Sequence, residues 1–183
     1  MVSQAITDKD AKVRLAVVQN NNPINAAWDN VFEQALRDSS YEIVENALEK
    51  LCLNHPEKDS VYLAATKDLK GMGMSVRIKW LEIASVRHPE HLKELVSYTG
   101  HQFEFRTRIN SMNAIQRLNY LNNDVALNLY SALLSSNSRL AGPAGKVIDY
   151  FAKQNNNKLQ LQQAYRSKKW AAWQAPVIEK AIN

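Results

Sequence analysis

The chain has 183 residues, 45% of them hydrophobic and 22% charged, with a net charge of +5, enough apolar material for one sizeable core. Five glycines and five prolines are too few for a many-turned sandwich or barrel, and a single cysteine, Cys52, excludes an internal disulfide framework. No apolar run approaches the roughly 20 residues needed to cross a bilayer, and the N-terminus lacks the basic-then-apolar pattern of a signal peptide; the expectation is a soluble domain of helices joined by short loops.

The first periodic stretch, Ala11 to Gln19, places Val13, Ala16 and Val17 on one face, with Asp8 or Asp10 positioned to cap it. Asn20-Asn21-Asn22-Pro23 stops it and opens a helical hairpin from about Ile24 to Asn54. Within that hairpin Trp28, Val31, Phe32 and Ala35 form one stripe, and Ile43, Ala47, Leu48 and Leu51 the facing one. Ser39 with Glu42 has the form of a capping box, putting the break near Asp38-Ser39. Lys58 to Arg87 makes the next hairpin, broken at Gly71-Met72-Gly73, with Val61, Ala64, Ala65 and Leu69 facing Val76, Trp80, Leu81 and Ala84. A third runs from Glu90 to Tyr120 with a break at Thr99-Gly100. The fourth starts at Asn123-Asp124, breaks around Ser135 to Ser138 and continues through Val147, Ile148 and Phe151. Asn155-Asn156-Asn157 then punctuates the chain, and one or two shorter helices from Lys158 to Ile182 cap the stack. No linker divides residues 1–183, which read as a single helical domain.

One short pattern returns through these units: an apolar or small residue, usually followed by arginine, with a packing residue three positions on. It falls at Val13-Arg14, Ile43-Val44, Val76-Arg77, Thr107-Arg108 and Ser138-Arg139, at steps of 30, 33, 31 and 31 residues. A period in this range with helical spacing inside each unit is the signature of stacked helical hairpins of the HEAT kind. The fold class is therefore all-α, an α-α superhelix of HEAT/ARM-like hairpins. Since the beat belongs elsewhere to the second helix of a hairpin, the opening helix lacks its partner, which suits a fragment of a longer chain.

Charge is uneven along this array. Residues 1–100 hold 12 Lys/Arg against 14 Asp/Glu, whereas residues 101–183 hold 11 against 4. A basic half can face phosphates, acidic peptides or an acidic neighbouring domain, or it can be a solvated ridge. Arg14, Arg77, Arg108 and Arg139 sit at matching positions and would line one flank, either as a ladder for carboxylates and phosphates or as ties between repeats. Tyr165 to Trp173 combines three aromatic and three basic residues. There Lys168, Lys169, Trp170 and Trp173 suit contact with protein, nucleic acid or a membrane surface, and equally a terminal cap over the last hairpin. Arg77, Arg108 and Arg139 with these four are the candidate contact residues.

Catalytic and metal chemistry find no pattern. His88 and His91 are the one close histidine pair, but Pro89 lies between them and neither His-Glu-x-x-His nor Cys-x-x-Cys occurs. Gly142-Pro143-Ala144-Gly145-Lys146 lacks the first glycine and the hydroxyl residue of a phosphate loop, and Gly71-Met72-Gly73 lacks the third glycine of a dinucleotide fingerprint; a helix break explains both. Trp28 and Trp80 lie on apolar stripes, and Cys52 between Leu51 and Leu53 reads as a buried, inert thiol.

The segments Ala35 to Val44 and Ser75 to Leu81 resemble HEAT repeats. More narrowly, the order of the hairpins is similar to the C-terminal HEAT-like region of bacterial zinc aminopeptidases of the aminopeptidase N family. That resemblance implies an upstream β domain and zinc-binding catalytic domain, with this region closing over the cleft and shaping the access of peptide substrates. It places zinc in the parent and no cofactor, catalytic residue or metal ligand in this chain, and it leaves the compartment open, including export of the parent to the periplasm or beyond. The alternatives are an independent HEAT-repeat scaffold that binds protein and, less favoured, a nucleic-acid protein resembling the HEAT-like DNA glycosylases.

Overall fold

The computed structural model describes residues 2–183, with side chains from Gln4 onward. It comprises two compact units, Met1–Pro89 and Glu90–Asn183. Both are helical, and no strand occurs among the described residues.

In the first unit, α1 (Val2–Ala5), α2 (Ala11–Asn20), α3 (Ala26–Ala35), α4 (Tyr41–Asn54), α5 (Asp59–Thr66) and α6 (Ser75–Ser85) follow one another through short turns. Helix α4 is the centre and packs on α2, α3, α5 and α6. Its stripe of Ile43, Ala47, Leu48 and Leu51 is wholly buried and meets Val31, Phe32 and Ala35 of α3, as the hydrophobic spacing predicts. Asp10 caps α2 by accepting the Lys12 amide proton, and Asn25 caps α3 by accepting that of Trp28. Alternate helices stack, α2 on α4 and α4 on α6, the arrangement that stacked hairpins require.

The second unit repeats the plan with α7 (Leu92–Ser97), α8 (Phe105–Arg117), α9 (Asn123–Leu133), α10 (Ser138–Ala152), α11 (Asn155–Arg166) and α12 (Ala175–Ile182). Here α10 is the centre, against α8, α9, α11 and α12. Glu104, Asn122 and Asn137 cap α8, α9 and α10 through their side chains. Helix α8 ends in a Schellman motif: Asn119 takes φ 48°, its amide donates to the Gln116 carbonyl, and the Tyr120 amide donates to that of Ile115.

Several sequence expectations are corrected. Helix α2 turns Val18 inward with Leu15 and Val17 packed beside it, while Val13 and Ala16 are exposed; apolar residues surround this helix, so its pattern does not single out one face. A short α1 precedes it, and Ile6 just beyond α1 is buried. In α5 the expected stripe is off by one residue. Tyr62, Leu63 and Thr66 face the core, whereas Ala64 and Ala65 are exposed and Val61 is 64% exposed. Eight residues give only two turns, and the large tyrosine ring, the Thr66 hydroxyl bonded to the Tyr62 carbonyl and the Trp80 N–H bonded to the Leu63 carbonyl together decide the rotation.

No capping box forms at Ser39. Helix α4 starts after Ser40, whose amide donates to Asp38. Gly71-Met72-Gly73 does break the chain, with Gly71 at φ 77° and Gly73 at φ 59°. Gly142 and Gly145, by contrast, lie inside α10, as does Pro143. Burial of Leu140, Ala144, Val147, Ile148 and Phe151 carries the helix through them, tertiary packing outweighing propensity. The three asparagines at 155–157 form the first turn of α11 rather than a gap.

Candidate functional site

Several buried and half-buried polar groups tie one helical hairpin to the next. Arg14 of α2 grips Asp38 with two hydrogen bonds of 2.7 and 2.9 Å and donates a third to the Asp8 carbonyl. Beside Arg14, the Asp38 carboxyl is held below its ordinary range, the guanidinium hydrogen bond being the largest cause. Lys50 of α4 donates to the carbonyls of Val18, Gln19 and Asn21, closing the C-terminus of α2. Lys79 of α6 is only 4% exposed and bonds Glu49 of α4 at 2.8 Å and Glu82 at 3.1 Å. Tyr130 of α9, fully buried, donates to the Leu161 carbonyl of α11 at 2.7 Å.

Against that background the beat arginines separate. Arg108 is 6% exposed and donates to the carbonyls of Thr99 and Asn128, and burial lowers its pKa; it is a tie within the second unit and offers no surface. Arg77 lies over the Trp80 ring at 4.5 Å and donates to the Lys67 carbonyl. Arg139 is exposed at the start of α10. Pairing one repeat apart is the signal that sequence reasoning did not use: Glu49 and Lys79 are 30 residues apart, Asn128 and Thr99 are 29, and Tyr130 and Leu161 are 31.

The C-terminal aromatic-basic segment divides in two. Trp170 turns inward: its N–H donates to the Tyr165 carbonyl at 2.8 Å, its ring stacks on Tyr165 at 6.2 Å, and its edge meets buried Tyr130 at 5.7 Å. This is the cap. Lys168 is exposed with its ammonium 4.9 Å from the Trp170 ring centre. Lys169 is exposed, and Trp173 is 62% exposed on the turn before α12. The loop between α11 and α12 thus sends one tryptophan into the unit and one into solvent.

Reactive chemistry gains no geometry. Burial pushes the Cys52 thiol up to about 12, far from a thiolate at neutral pH. Among the described residues no group of three or more His, Cys, Asp or Glu side chains is disposed to hold a metal ion, and no helix is long and apolar enough to cross a membrane. A polar depression of about 670 Å³ in the first unit is lined by Asp8, Glu33, Gln34, Arg37 and the Arg14–Asp38 pair, whose hydrogen bonds already serve the fold.

Helical hairpins with every second helix stacked, tied at intervals near the repeat length, define a helical-repeat protein of the armadillo and HEAT class. A solved structure of a designed armadillo repeat protein is similar to this chain: the match covers 100% of this chain and 98% of that one, with a TM-score of 0.50 and 14% identity. No family model and no curated protein matches the sequence.

Proposed function

We propose that this chain is a non-catalytic helical-repeat scaffold that holds and orients polypeptide, serving as the C-terminal HEAT-like domain of a zinc aminopeptidase of the aminopeptidase N family. In that setting its partners are the upstream catalytic domain of the same polypeptide and that domain's peptide substrates, whose entry to the cleft it restricts. Zinc belongs to the upstream domain.

The observation that carries the scaffold reading is the set of repeat-spaced ties. Lys79 with Glu49, Asn128 with Thr99 and Tyr130 with the Leu161 carbonyl join segments about one repeat apart. Such ties rigidify neighbouring units and leave the outer helix faces as the working surface. The order of the hairpins, similar to that of the C-terminal HEAT-like region of this family, is what supports the aminopeptidase setting. A rigid array beside a reaction centre acts by positioning the distal part of a substrate and by excluding wrong ones.

The coding sequence upstream of the Met1 codon tests the parent assignment. An in-frame domain containing His-Glu-x-x-His is expected; an in-frame stop codon with no such domain overturns the aminopeptidase setting and leaves the independent scaffold.

A further inference from the structure

The loop between α11 and α12 is held from both sides. At its start the Ser167 amide and hydroxyl donate to the carbonyls of Gln163 and Ala164. In its middle Trp170 is anchored by the Tyr165 carbonyl and by two tyrosine rings. At its end the Ala171 amide donates to the Gln174 side chain, and the amides of Gln174 and Ala175 donate back to the Ala171 carbonyl. On this fixed loop Lys169 and Trp173 face solvent, Lys168 is set over the Trp170 ring, and Arg166 is exposed just before them.

The surrounding charge is one-sided. Residues 155–183 carry five basic side chains and one acidic residue, Glu179, and Glu179 is taken by the Tyr165 hydroxyl at 2.5 Å. A large exposed aromatic on an ordered turn, with exposed Arg166, Lys168 and Lys169 close before it in the chain, has the make-up of a binding hot spot, because the loop is already ordered before a partner arrives.

We infer that the α11–α12 loop is a docking surface for an acidic protein segment, with Trp173 covering an apolar side chain of that segment and Arg166, Lys168 and Lys169 holding its carboxylates. This names the partner chemistry for the scaffold reading and does not depend on the aminopeptidase parent. An anionic membrane fits less well, since Ile178 and Ile182 of α12 are turned inward and the large exposed hydrophobic side chains of the loop and α12 reduce to Trp173 and Val177, short of the face an interfacial helix needs. Single-stranded nucleic acid calls for successive stacking rings, and Trp170 is already committed to Tyr165 and Tyr130.

Fluorescence anisotropy of the full chain with a labelled dodecapeptide repeating Asp-Glu-Leu tests this. The peptide should bind at low salt, weaken as salt rises, and lose about tenfold in affinity with Trp173→Ala and with Lys169→Glu. Lys146→Glu, the same charge change on the exposed face of α10, should leave binding unchanged. Because Trp173 and Lys169 are exposed, unchanged circular dichroism and melting temperature are expected for both variants. The proposal is overturned by no binding of the peptide, by wild-type affinity in the two loop variants, by an equal loss with Lys146→Glu, or by tighter binding to phosphatidylserine vesicles or oligothymidylate than to the peptide.

Discussion

Arg14 illustrates what one guanidinium contributes to this array. Its two bonds to Asp38 cross from α2 to the turn before α4, and a third closes on the Asp8 carbonyl. Asp38 in turn accepts the Ser40 amide, so a single carboxylate both joins two repeats and orients the start of a helix. Because the folded-state pKa of Asp38 is depressed, its contribution is fully present above the unfolded value, about 3.9, and is lost as pH falls through the folded value. In urea melts, wild type should therefore exceed Asp38→Asn in midpoint at neutral pH, with the gap closing as pH drops below about 4. A gap of constant size down to pH 2 would mean that the ionised carboxylate is not the source of the stability.

At the scale of elements, long helices with sharply unequal faces were readable from the sequence and short or uniformly apolar ones were not. The stripe of α4 stands where its spacing puts it, because fourteen residues sample the helical period four times. Helix α5 is too short for spacing alone to outvote a tyrosine ring, and α2 has apolar residues on every side. The candidate contact residues divide by the same logic: composition marked Tyr165 to Trp173, but only packing separates Trp170 from Trp173. Glycines are the sharpest case, since the same residue type serves two purposes. A Cβ at Gly142 would meet open space within α10, whereas one at Gly71 would lie 2.6 Å from the Ser75 hydroxyl on a backbone at φ 77°. Gly142→Ala should stabilise the protein by about 0.5–1 kcal/mol through helix propensity and reduced freedom of the unfolded chain. Gly71→Ala should destabilise it by more than about 1 kcal/mol. Chemical denaturation of the two variants checks both signs, and a loss of stability at Gly142 would show that α10 needs flexibility there.

At the scale of the molecule, each unit has its own central helix, α4 or α10, and its own buried core. In repeat arrays stability is close to a sum of unit terms and nearest-neighbour terms, so a local defect should weaken its surroundings more than distant helices. Two ties test this in opposite halves. Lys79→Ala removes the buried ammonium that joins Glu49 of α4 to Glu82 of α6, a loss of about 1.5–3 kcal/mol for hydrogen bonds to charged groups. Tyr130→Phe removes the buried hydroxyl bond that joins α9 to the Leu161 carbonyl of α11, a loss of about 1 kcal/mol. Native-state hydrogen exchange should show the first variant accelerating amides of α4 and α6 with little change in α9 and α11, and the second doing the reverse. Equal acceleration through all helices in either variant would mean that the chain opens as one cooperative body, and the repeats would then be a device of geometry rather than of stability.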